Sequence, residues 1–329
     1  METFQKLFDS FTKFRVGVIG DVMLDTYMWG RVDRISPEAP VPVVVLEEKE
    51  YRIGGAGNVA LNCHSLGAEV FVLSVSGNDA HALLLDELFQ ENMVDASYMV
   101  KSATRITTNK TRIISRNQQM LRLDEEDVRE LETVEEDALL ERVRLFIQAN
   151  DPDILIFEDY NKGVLTERVI REVLSLCRAA GVLTAVDPKK RNFFAYQQAN
   201  IFKPNLAEVK AGLNLSFDEV DRPTLLHVHA QLKNILDHEI SFITLSEQGV
   251  FYQQDGVGAI IPSHFRNIAD VSGAGDTVIA VAALVYAATR NVHLMAQVAN
   301  IAGGLVCEEV GTVSIDKTRL QSECALLLS

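Results

Sequence analysis

The densest group of chemistry-bearing residues is Asp270-Val-Ser-Gly-Ala-Gly-Asp276-Thr, which runs directly into the apolar stretch Val278-Ile-Ala-Val-Ala-Ala-Leu. Gly273, Ala274 and Gly275 have almost no side chain, so the backbone there can approach a ligand closely. A helix beginning at this point offers unpaired N–H groups and partial positive charge, which suits an anion. Asp276 is then out of place for simple phosphate binding, because a carboxylate repels the anion beside it. It fits if it accepts a proton from a hydroxyl attacking a phosphoryl group. The motif alone also permits a plain glycine turn with Asp276 as a helix-start residue. It is not a Walker A loop, since no Gly-Lys-Ser/Thr follows.

A second glycine group, Gly54-Gly-Ala-Gly57-Asn58-Val-Ala60, also precedes a helical pattern and lacks dinucleotide-loop spacing. The amide of Asn58 offers a donor and an acceptor, a good match for sugar hydroxyls. Asp25 follows the first strand, where α/β proteins bind ligands, and could hold two hydroxyls; capping a helix is its structural alternative. Lys203-Pro-Asn205-Leu-Ala-Glu208 reads either as a capping-box helix start or as a pair near hydrated Mg²⁺ on nucleotide phosphates. His227 and His229 are two apart on a helical pattern and face different sides, so they are no metal pair.

These residues need a frame. Apolar runs at Arg15–Gly20, Glu69–Ser74, Asp153–Phe157, Val182–Val186 and Ser241–Leu245 predict strands buried on both faces, as in a parallel sheet. Amphipathic helices fall between them, one opened by a capping box at Thr133–Glu136 and another spanning Thr166 to Ala180 with Gly181 as its stop. Alternation of this kind predicts a doubly wound, mostly parallel α/β fold with helices on both faces. Pro40–Glu47, Thr107–Ser115 and Gln118–Asp124 are β-rich with no helices between. They are either a small β lid over the sheet's carboxyl edge, inserted at about 27–53 and 104–124 of a single domain over 1–329, or edge strands of the main sheet.

Composition narrows the partners. The 329 residues carry 46 acidic and 31 basic side chains, a formal charge of −15. Such a surface repels nucleic acid and anionic membranes. The acidic run from Asp124 to Glu141 reads as a solvated helix face. Four scattered cysteines indicate neither zinc nor a disulfide framework. With no apolar signal core and no apolar run long enough to span a bilayer, a cytoplasmic location is expected.

In their order, these motifs resemble the ribokinase-like, or PfkB, carbohydrate kinases across nearly the whole chain: an early Gly-Gly-x-x-Asn segment, the Asn205/Glu208 pair, then Asp-x-x-Gly-Ala-Gly-Asp. The resemblance implies ATP-dependent phosphorylation of a sugar. Asp276 would be the catalytic base, and Gly273, Ala274 and Gly275 the anion hole. Asn205 and Glu208 would act on the Mg²⁺–nucleotide phosphates, Ser246 and Gly249 would form the nucleotide loop, and Asn300 would lie beside adenine. Asp25, Gly55 and Asn58 match sugar-binding positions.

Within the family, Gly20–Asp25, Arg34–Pro42, Glu158–Gly163 and Asp187–Lys189 are similar to members that phosphorylate the anomeric hydroxyl of D-glycero-β-D-manno-heptose 7-phosphate. That implies a phosphosugar substrate, used for the lipopolysaccharide core, and a cationic pocket drawn from Lys162, Lys189, Arg105, Lys110 and Arg122. It further implies a homodimer through the β lid and a separate nucleotidyltransferase acting later. A monovalent cation (K⁺) near Asp270 is left open. The alternatives are a PfkB kinase for another sugar, or a non-catalytic sugar- or nucleotide-sensing module; a sensor has no need of Asp276.

Overall fold

The computed structural model describes residues 2–116, 118–217 and 219–328. In chain order its strands are β1 (Arg15–Gly20), β2 (Val22–Ile35), β3 (Pro42–Gly55), β4 (Glu69–Leu73), β5 (Val75–Ser76), β6 (Val100–Lys101) and β7 (Asn109–Ser115). They continue with β8 (Gln118–Glu125), β9 (Ile154–Glu158), β10 (Leu183–Asp187), β11 (Ile201–Phe202), β12 (Ile240–Thr244), β13 (Val250–Gln254) and β14 (Val257–Ile261). The helices are α1 (Glu2–Ser10), α2 (Ala56–Ser65), α3 (Ala80–Glu91), α4 (Thr133–Asn150) and α5 (Glu167–Ala180), then α6 (Leu206–Leu213), α7 (Arg222–Leu236), α8 (Ala274–Thr289), α9 (Val292–Val306) and α10 (Lys317–Leu327).

The main sheet has the order β14-β13-β12-β11-β10-β9-β1-β4. It is parallel from β4 through β12 and closes with the antiparallel β13–β14 edge hairpin. Successive residues of each inner strand supply opposite cores, the consequence of a two-residue side-chain period in a sheet covered on both faces. Val16, Val18, Ile154 and Ile156 join the core under α1, α2, α8 and α9. Ile19, Leu155 and Phe157 join the core under α4, α5 and α7. This is the doubly wound, mostly parallel α/β arrangement with helices on both faces that the strand–helix alternation predicts. Two predicted strands lie one residue further along than expected, which brings Glu158 and Asp187 into β9 and β10 at their carboxyl ends.

Strands β3, β2, β7 and β8 form a four-stranded sheet of their own. They are not edge strands of the main sheet. The pairing of Asp25 with Arg52 on one side and Lys110 on the other sets its register. Every residue of β8 is exposed.

Two local expectations are corrected. The helix expected to open with a box at Thr133 instead has Glu132 as N-cap, and the Glu135 carboxylate accepts the Glu132 N–H at 2.9 Å. The acidic run is not one solvated helix face. Asp124 and Glu125 end β8, Glu126 pairs with Lys162 at 2.5 Å, and Glu136 in α4 is buried against Arg168 at 3.0 Å. The apolar run within α8 is buried from Asp276 to Tyr286, as a helix apolar on all sides must be. No helix among the described residues is long and apolar enough to cross a membrane. Cys63, Cys177, Cys307 and Cys324 are all free thiols.

Candidate active site

The carboxyl ends of parallel strands deliver their next residues to one rim of the sheet, where open α/β folds bind ligands. Glu158 ends β9, Asp187 ends β10, Lys203 follows β11, and Ser246 follows β12. The start of α8 meets this rim. Between them opens a cleft of about 820 Å³, lined by Tyr160, Asp187, Lys189, Lys203, Asn205, Ser246, Gly249, Asn300 and residues 273–276. That volume suits a nucleotide-sized ligand.

Gly273 is the N-cap of α8 with φ 77°, a left-handed conformation that a side chain disfavours. A Cβ there would lie 2.9 Å from Asn58 Nδ2 and 3.1 Å from Thr312 Cγ2. The Ala274 N–H bonds the Val271 carbonyl at 3.3 Å. The next amides, of Gly275 and Asp276, belong to the first turn, whose N–H groups have no intrahelical partner. Gly275 keeps the space before them open: a Cβ would find only Asp187 Oδ2 at 3.6 Å and Lys203 Nζ at 3.8 Å, ordinary contacts. The folded chain therefore has room for an extra methyl, and the expected cost of one falls on an anion approaching these amides. Gly275→Ala is expected to leave Tm within about 2 °C of wild type while lowering kcat by about tenfold to a hundredfold. Melting curves set beside initial rates check this; equal loss of stability and activity would instead mean a packing role.

Asp276 is only 4% exposed yet lines the cleft. Its two oxygens accept hydrogen bonds from Asn58 Nδ2 and the Tyr160 hydroxyl, each at 2.7 Å. Burial pushes its carboxyl up to about 6, against the pull of those two donors. A carboxylate raised in this way is poised to accept a proton near neutrality. Asn58, expected at the sugar hydroxyls, thus directs its donor to Asp276. Tyr160 was not singled out from the sequence. Its placement depends on buried Asp21, whose carboxylate accepts the N–H groups of Tyr160 (2.8 Å), Lys162 (3.1 Å) and Val164 (3.1 Å).

Behind the base lies an alternating charge cluster. Asp187 accepts from Lys203 at 2.7 Å and lies 3.4 Å from Lys189, which also meets Glu208 at 2.8 Å. Burial favours the neutral form of Asp187, but the two ammoniums outweigh it and hold its carboxyl below the usual range. Burial, reinforced by Asp187 and Asp276, pushes Glu158 well above it. Glu158, Asp187 and Lys203 were not assigned roles from sequence; their common signal is position at a strand's carboxyl end.

Asn205 and Glu208 form the capping box of α6: Glu208 N–H donates to Asn205 Oδ1 and Asn205 N–H to Glu208 Oε2, both at 2.8 Å. Asn205 still lines the cleft, and Glu208 Oε1 reaches it through Lys189. Among the described residues no group of three His, Cys, Asp or Glu forms a metal cage. Carboxylates already paired with ammoniums suit a Mg²⁺ that keeps its waters and rides on substrate phosphates. Asp270 is occupied by its turn, accepting from Ser272 N–H (3.0 Å), Ser272 Oγ (2.8 Å) and Gly311 N–H (2.9 Å). Asn300 Nδ2 donates to the Pro262 carbonyl at 2.9 Å at the cleft's far end.

The second sheet adjoins the cleft through Tyr160, whose ring centroid lies 5.3 Å from the Lys110 ammonium on β7, without lining it. Buried Asp25 pairs with Arg112 at 2.5 Å, and Gly55 ends β3 immediately before α2. Arg112 and Arg52 both lie over the Tyr27 ring, at 5.2 and 4.7 Å from its centroid. Arg52 also donates to the carbonyl of Thr312 at 3.2 Å, tying this sheet to the loop beside Gly273. Lys189 lies with the nucleotide-side residues rather than with Asp25, while Lys162 faces Glu126.

A buried carboxylate at a helix start, first-turn amides beside it and a nucleotide-sized cleft fit a phosphotransferase of the α/β class. The chain belongs to the pfkB family of carbohydrate kinases, whose family model matches residues 13–319; it is a sugar kinase. It is 39% identical over 306 residues to the bifunctional protein HldE of Methylobacillus flagellatus, covering 93% of this chain and 62% of that protein. A second HldE, from Syntrophotalea carbinolica, is 37% identical over 94% of this chain and 63% of its own length. The chain thus spans less than two thirds of these relatives. By structure it is similar to phosphofructokinase-2 from Escherichia coli in complex with potassium, with a TM-score of 0.80 and 18% identity over 96% of this chain and 100% of that one. Arabidopsis thaliana ribokinase complexed with ribose and ATP gives a TM-score of 0.73 and 16% identity over 94% and 98%.

Proposed function

We propose that the protein transfers the γ-phosphoryl group of ATP to the anomeric hydroxyl of D-glycero-β-D-manno-heptose 7-phosphate, giving the 1,7-bisphosphate. The observation that carries this is Asp276: a cleft-lining carboxylate pushed up to about 6 by burial and held between Asn58 and Tyr160 at the mouth of the α8 amides. It would take the proton of the attacking hydroxyl while the Gly275 and Asp276 N–H groups hold the charge moving onto the phosphoryl oxygens. Ser246, Gly249 and Asn300 would border the nucleotide; Asp25 and Gly55 would border the sugar. Asn205 and Glu208 would reach the waters of Mg²⁺ on the nucleotide phosphates, and that ion, when bound, would screen their charge. A K⁺ near Asp270 belongs to the same proposal. Closure of the β2–β3–β7–β8 sheet would exclude water and limit ATP hydrolysis. The choice of sugar rests on the likeness of the 20–25, 34–42, 158–163 and 187–189 segments to heptose 7-phosphate kinases.

Exposed Val45 and Leu46 on β3 and Met120, Leu121 and Leu123 on β8 support a homodimer through this sheet, since its two edges leave apolar surface open. A cytoplasmic location fits the four free thiols.

A substrate panel with ATP tests the assignment. With Mg²⁺, kcat/KM for heptose 7-phosphate is expected to exceed that for ribose, fructose and fructose 6-phosphate by about a hundredfold or more, the discrimination that buried polar contacts supply. Rates no better than those of the other sugars would assign a different sugar within the family. ATP binding with no turnover on any sugar would assign a sensor.

A further inference from the structure

The five cations open to a substrate phosphate do not stand alike. Lys162 is paired with Glu126 at 2.5 Å, and Lys189 with Glu208 at 2.8 Å and Asp187 at 3.4 Å. Arg105 is buried and donates to the carbonyls of Arg129, Asp127 and Lys162 at 2.7, 3.1 and 2.6 Å, which makes it a loop brace. Arg122, on exposed β8, is held by Asp124 at 2.9 Å. Lys110 differs. Among the described residues no carboxylate lies within ion-pair distance of it, and its ammonium stands 5.3 Å from the centroid of the Tyr160 ring. Asp25 and Asp124 are its register neighbours on β2 and β8 and act on it only at longer range.

We propose that Lys110 reads the phosphate group already present on the sugar, an inference that rests on the phosphosugar substrate proposed above. On β7 it shares a face with Arg112, which holds Asp25, so a sugar at Asp25 lies beside it. Tyr160 links it to Asp276: the tyrosine hydroxyl donates to Asp276 at 2.7 Å, and the Lys110 ammonium lies over its ring, 5.3 Å from the centroid. A sugar whose reacting hydroxyl meets Asp276 can place a distal phosphate at Lys110. Burial, and then the charge of Lys162, hold this ammonium below the usual lysine range, and a phosphate dianion would relieve both effects. In an acidic protein, a half-buried lysine with no described carboxylate at ion-pair distance suits an anionic ligand group.

The test compares D-glycero-D-manno-heptose 7-phosphate with unphosphorylated heptose. Lys110→Met is expected to raise KM for the 7-phosphate about tenfold to a hundredfold, the size of one charge-assisted hydrogen bond. Its kcat should stay within about twofold, its KM for ATP and its rates on unphosphorylated heptose should not change, and Lys110→Arg should recover most of the affinity. An unchanged KM for the 7-phosphate would overturn the inference and leave the phosphosugar reading intact. Equal losses on both sugars would overturn it by assigning Lys110 to the transferred phosphoryl group. A wild-type enzyme indifferent to the 7-phosphate would remove the phosphosugar reading itself, and this inference with it.

Discussion

Asp276→Asn is expected to lower kcat by about a thousandfold, within the range that a positioned general base supplies. The side chain keeps its shape, and its carbonyl can still accept from Asn58 or Tyr160, so ATP should bind by calorimetry with nearly its wild-type affinity. Loss of the proton acceptor, not of the site, is what the variant isolates. The wild-type pH profile provides an independent reading. Burial pushes this carboxyl up to about 6 against the hydrogen bonds of Asn58 and Tyr160. The base works only when ionised, so kcat/KM should fall as pH drops through about 6, close to tenfold per unit below it. Substantial turnover by the asparagine variant, or a profile flat down to pH 4.5, would place the base elsewhere.

The parallel sheet was legible because its strands are apolar on consecutive positions, a pattern that only burial on both faces explains. The lid was not resolved that way. The β-rich residues of Pro42–Gly55 and Asn109–Ser115 suit either an edge of the main sheet or a sheet of their own, and only strand pairing decides. At the site, Gly273 to Asp276 stood out because small residues followed by a carboxylate are chemically odd at a helix start. Glu158, Tyr160 and Lys203 did not, since their roles arise from β9, β10 and β11 lying side by side, an adjacency absent from any local pattern. Asn205 and Glu208 show a different limit. The capping box and a place at the phosphates are compatible, because Glu208 caps with one oxygen and meets Lys189 with the other. Lys162 was chosen because it lies in the Glu158–Gly163 segment, a local pattern that does not show the acidic run bending back to bring Glu126 against it.

The same cluster implies a large effect on folding. Lys203 is 2% exposed and gives its ammonium to Asp187, also buried, at 2.7 Å. Lys203→Met removes one partner and leaves the carboxylate in the interior with Lys189 alone, a loss of about 3–5 kcal/mol at neutral pH. The pH dependence identifies the cause. In the wild type, burial raises the Asp187 carboxyl but Lys189 and Lys203 overcome it, leaving the group below its usual value, so the pair's contribution is present at neutral pH and fades as acid protonates the carboxylate. In the variant, burial acts with one ammonium fewer, and it is expected to prevail and carry the folded carboxyl above its unfolded value. Folding then favours the protonated form, which is fully populated at low pH and costs progressively more to ionise as pH rises. Denaturant melts at pH 4.5, 6 and 8 should therefore show the deficit relative to wild type growing with pH. A deficit constant across that range would trace instead to lost packing of the lysine stem. Full stability at pH 8 would mean that Asp187 needs no second cation, and that Lys203 is held in the interior for the phosphates that pass in front of it.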